Sequence, residues 1–84
     1  MELNLIDGLF SNEESSQLIR ELIKVKIQFH ENKIKNLSNE EDIKMREKKI
    51  IKLNNDLSNV TKFCSDGSMF KLHSKITITD NFAE

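Results

Sequence analysis

Two histidines, one cysteine and two runs of lysine are the residues here whose chemistry could exceed packing. Imidazole titrates near neutral pH and ligates metals, a thiolate attacks carbon or sulfur, and clustered lysines neutralise phosphates. His30 recurs with Ile23, Ile27 and Ile34 at helical spacing, without a Glu-x-x-His motif, and Glu31 points off that row. The expectation is a histidine buried at a helix interface and hydrogen-bonded there. Were it to lie beside a symmetry mate, its protonation would weaken the assembly below about pH 6. Cys64 ends an apolar stripe, where a thiol packs as a small hydrophobe. His73 is the only base on offer to it, and no spacing selects that pair.

One cysteine excludes an internal disulfide and leaves no zinc-ligand pattern. The acidic pairs Glu13 and Glu14, and Glu40 and Glu41, open helices, where capping accounts for them. The run 65–68 suits a helix stop and is too short for a phosphate loop. No catalytic residue, metal or cofactor is expected, and the chain is taken as non-enzymatic.

The lysines are the best candidates for ligand contact. Lys24, Lys26, Lys33 and Lys35 stand against Glu31; Lys44, Arg46, Lys48, Lys49 and Lys52 stand against Glu47. Side by side in an antiparallel hairpin they form a basic shaft, with Glu40, Glu41 and Asp42 at its tip. Such a shaft could meet nucleic-acid phosphates. It holds a single arginine, and the sequence offers it no helix-turn-helix pattern and no exposed aromatic for stacking. Solvated helix faces are the stronger expectation, with phosphate contact second.

Two long periodic segments must position these residues. Ser11 and Glu14 form a capping box before helix one, residues 11–37; Ser38 and Glu41 repeat it before helix two, residues 38–64. Gly67 is expected to end the second helix in the left-handed region. Residues 69–79 alternate with period two, which predicts a strand. Residues 1–8 give a short strand closed by a turn at Asp7 and Gly8, and 80–84 a tail. The fold class is therefore mainly α: a long antiparallel αα-hairpin with terminal strands, in the order β-α-α-β, as one domain.

Helix one carries two apolar rows. Leu18, Leu22, Val25 and Phe29 mirror Leu57, Leu53, Ile50 and Arg46 of helix two in one antiparallel register, with Arg46 over Phe29 as a cation–π contact. That pairing leaves Ile19, Ile23, Ile27, His30, Ile34 and Leu37 uncovered, a strip large enough to mark an interface. A two-fold homodimer forming a four-helix bundle is the expected outcome.

Size and composition agree. A chain of 84 residues buries a thin core, and without disulfide or metal the remaining support is oligomerisation. The net charge of −1 argues against a general polyanion binder. No apolar run approaches the roughly 20 residues of a membrane span, no signal-peptide core is seen, and a lone cysteine suits reducing conditions. A cytoplasmic interaction module is expected, with itself and a further protein as partners.

Overall fold

Ser11 closes the first strand and caps the first helix, so the chain changes structure at one residue. Its hydroxyl accepts from the Glu14 N–H at 3.1 Å, while the Glu14 carboxylate accepts from the Ser11 N–H at 3.0 Å. This is the capping box that the sequence predicts. The Ser11 N–H, and then its hydroxyl, hold the Glu14 carboxyl below the usual carboxylate range. In the computed structural model, which describes residues 1–81, the order is β1 (Glu2–Ser11), α1 (Asn12–Lys35), α2 (Glu40–Cys64) and β2 (Met69–Thr77). The last part of the expected tail, 82–84, lies outside the described residues.

The strands pair antiparallel within the one chain. Asp7 and Gly8 do not turn; β1 runs through them to Ser11, because Leu9 and Phe10 still have β2 partners in Lys71 and Phe70. A bulge between Asn4 and Ile6 gives Leu5 no partner of its own. An extra residue reverses the in/out parity of a strand. Leu3, opposite Ile76, thereby shares a face with Ile6, Gly8 and Phe10, which oppose Ser74, Leu72 and Phe70. On that face Ile6 is buried and Gly8, Phe10, Phe70, Leu72 and Ser74 are half-buried, as the period-two pattern of β2 requires.

The second helix starts one residue later than the sequence suggests. Asn39, not Ser38, caps it, its side-chain oxygen accepting from the Glu41 N–H at 2.8 Å. An asparagine side chain matches serine as a cap and here stands next to the first helical residue. At the far end Gly67 has no positive φ. It is needed for space instead: a β-carbon there would lie 2.3 Å from the Phe70 ring. Phe70 in turn meets Phe63 with ring centroids 5.7 Å apart. The Asn12 N–H donates to the Ser68 carbonyl at 3.1 Å, tying the start of α1 to the loop before β2.

The helices form the expected hairpin, but with the other row of α1 inside. Ile19, Ile23, Ile27 and Ile34 are half-buried and His30 is buried, whereas Val25 and Phe29 are 67% and 53% exposed. On α2 the anticipated stripe of Ile43, Arg46, Ile50, Leu53, Leu57 and Val60 is half-covered, and Cys64 is buried. The two rows of α1 have similar spacing, so spacing alone could not separate them. What separates them is length. The Leu18 row runs out into Asn32 and Lys33, while the isoleucine row continues to Ile34 and Leu37 and can cover α2 to its first turn at Ile43.

Replacing Gly67 with alanine is expected to cost about 1–3 kcal/mol through overpacking against Phe70. In a Phe70→Leu background the same change should cost much less. Equal penalties in both backgrounds, read from urea unfolding, would reject the steric account.

Candidate functional site

The most specific polar geometry lies in the seam between the helices, near the hairpin tip. Arg46 Nη1 stands 2.8 Å from His30 Nδ1. A guanidinium only donates, so Nδ1 accepts and the imidazole is neutral with its proton on Nε2. His30 is 7% exposed. Burial, then the nearby charges of Arg46, Lys49 and Lys26, push its pKa below the ordinary histidine value. The expected buried, bonded histidine is found, but its partner is α2 of its own chain.

The same arginine lies over Phe29, its guanidinium carbon 5.8 Å from the ring centroid, and Lys33 Nζ sits 5.5 Å from it. The expected cation–π contact of Arg46 therefore forms while Phe29 faces solvent. The sequence reading that no aromatic is exposed beside the lysines is corrected here, since Phe29 belongs to the row that turned outward. Phe63, near the other end of the hairpin, is 72% exposed.

Of the residues expected to form a free interface, His30 is buried and Ile19, Ile23, Ile27, Ile34 and Leu37 are half-buried within the single chain. They do not form an open strip, because the isoleucine row is the hairpin's own seam. The open apolar positions of α1 are Leu22, Val25 and Phe29. The eight lysines, Lys24, Lys26, Lys33, Lys35, Lys44, Lys48, Lys49 and Lys52, are all exposed. Among the described residues, helical lysines make two ion pairs, Lys24 with Glu21 and Lys52 with Asp56, both at 3.9 Å. At that length and exposure each contributes little.

Cys64 is a buried free thiol at the end of α2. His73, which opposes Asp7 in the ribbon, is exposed. Ser15 is the residue sequence reasoning passed over: it is fully buried in the first turn of α1, with its hydroxyl 3.5 Å from the Phe10 carbonyl. A small residue fits where β1 folds against the helix it leads into, and only the adjacency of the capping box hinted at that. Among the described residues no group of three or more metal-ligating side chains gathers, and no helix is long and apolar enough to cross a membrane.

The seam makes stability depend on pH. His30 binds its proton less tightly when folded than when unfolded, where it titrates near ~6.5. The unfolded chain therefore takes up more protons below that pH, so the contribution is complete above about pH 7 and is lost as pH falls through the folded value. The thermal midpoint should fall between pH 7.5 and pH 5.5. His30→Gln, which keeps an acceptor for Arg46 and no titrating proton, should show a smaller fall; equal falls would place the titration elsewhere.

No family model, curated protein or solved structure matches the chain, so function is argued from this geometry alone.

Proposed function

We propose that the protein is a small, non-enzymatic, homo-oligomeric interaction module of the cytoplasm, working through protein–protein contacts as a dimeric four-helix bundle. The observation that carries this reading is how little one chain covers of itself. Its accessible surface is 6936 Å², whereas a compact 9.8 kDa monomer exposes about 5,200 Å². The excess is more than roughly 1,000 Å², on the scale that each partner of a stable dimer buries. Its Cα radius of gyration is 15.9 Å against about 12 Å for a compact chain of this length. Ile6 and Cys64 are the buried apolar residues among those described.

Layer logic supports the same reading. A helix buries one stripe against a neighbour, and small domains stack at least two layers around a core. Here each helix has one helical neighbour, and the ribbon contacts the hairpin near its open end. A second hairpin supplies the missing layer.

A second reading has one observation in its favour. Phe29 is an exposed ring between Lys33 and Arg46, an arrangement that suits a stacked base beside phosphates. It would make the protein a nucleic-acid-associated accessory factor.

Sedimentation equilibrium at micromolar concentration should give twice the chain mass, and the thermal midpoint should rise with protein concentration. A folded monomer with a concentration-independent midpoint rejects the leading reading. A gel shift by mixed DNA and RNA at low salt that fades steeply as salt rises would favour the second.

A further inference from the structure

The two open sides of the hairpin differ in kind. On one, Glu31 and Lys35 lie with Glu47 and Ile51, and nearer the ribbon Glu13, Gln17 and Arg20 lie with Thr61. Charged and polar residues dominate that side, with Ile51 exposed and Ile34 and Ile50 half-buried along its edge. On the other, Arg46 reaches over Phe29 and shares its side with Met45 and Lys49. Toward the ribbon, Ile19, Val60 and Phe63 border an apolar notch with Phe70 and Leu72. Leu22, Val25 and Phe29 form one row along α1, with Leu18 half-buried at its start. The uncovered apolar surface is therefore concentrated on one side and centred on α1.

We propose that a second copy of this chain covers this row, α1 packing antiparallel on α1 about a two-fold axis at the middle of the helix, between Ile23 and Lys24. This rests on the self-assembly proposed above and names its face and register. In that register the two copies of α1 overlap along their whole length. Leu18 meets the partner's Phe29, and Leu22 meets the partner's Val25. Each member of the row finds an apolar counterpart, as an isologous contact demands.

The charges select the same orientation. The first half of α1 holds Glu13, Glu14 and Glu21 against Arg20, and the second half holds Lys24, Lys26, Lys33 and Lys35 against Glu31. Antiparallel packing lays the acidic half of each copy on the basic half of the other. A parallel arrangement would stack lysine on lysine. The helix dipoles also favour antiparallel neighbours. No other occupant is needed to account for an excess surface of dimer scale, and this one is self-complementary in both shape and charge.

Val25 and Ile51 are both exposed in the single chain, so glutamate at either is compatible with the hairpin itself. Val25→Glu should raise the dimer dissociation constant at least about a hundredfold, because two carboxylates become buried at the axis. Ile51→Glu, on the polar side, should change it less than about threefold. A dimer broken by Ile51→Glu and untouched by Val25→Glu overturns this face while leaving self-association intact. A wild-type chain that sediments as a monomer overturns self-association itself. Because Val25→Glu could also lose its fold, the register is read independently from cysteine pairing. Chains carrying Leu22→Cys and Val25→Cys, each with Cys64→Ala, are mixed in a thiol–disulfide buffer. The mixed disulfide should exceed the half share expected at random; a share at or below one half overturns the register.

Discussion

One seam between α1 and α2, pinned by the Arg46–His30 hydrogen bond, sets the position of every other surface in this molecule. The seam is otherwise built from isoleucine and leucine, which pack at several registers with similar energy. The polar pair is not so tolerant. Sliding the helices would leave a guanidinium with five donors and a buried imidazole acceptor without each other, and an unmet buried polar group costs about 1–3 kcal/mol. The pair thus discriminates between registers more than it adds stability, in the manner of a polar residue at a coiled-coil core position. Once it is fixed, Phe29 must sit on the flank, where the same guanidinium covers part of its ring.

The ribbon end is organised by exclusion of side-chain volume. Ser15 lies fully buried where β1 meets α1, and Gly67 leaves room for the Phe70 ring at the exit from α2. These two small residues let the strands start and finish against the hairpin's open end. The bulge at Leu5 then keeps Leu3 and Ile76 on the inner face beyond it. Both remain about two-fifths exposed, so the apolar face of the ribbon outruns the helices that would cover it.

Element order, hairpin pairing, the first capping box and the period of β2 were legible because each depends on local spacing or on a cap. The inner row of α1 was not. Leu18, Leu22, Val25 and Phe29 repeat at the same three-and-four rhythm as the isoleucine row, and a mirrored pattern on α2 fits both. Length would have separated them: only the isoleucine row stays apolar to the tip. Gly67 shows a different limit. A glycine after a helix suggests a left-handed cap, but its reason here is the distant Phe70 ring, which no local pattern contains. Asp7 and Gly8 resemble a turn until the strand partners at Lys71 and Phe70 are known. Within the candidate site, the burial of His30 followed from its row, whereas the exposure of Phe29 depended on which row turned inward.

The inversion of the rows changes which apolar surface of α1 stays open. Had the Leu18 row filled the seam, the open strip would have been isoleucines and a histidine, flanked by lysines toward the tip. Instead the open row contains Leu22, Val25 and Phe29 at the middle of α1, with acids before it and lysines after it. A row placed centrally, with opposite charge at its two ends, is complementary to its own reversed copy. The same residue choice that closes the hairpin thus moves the open apolar surface from the isoleucines to the Leu22, Val25 and Phe29 row.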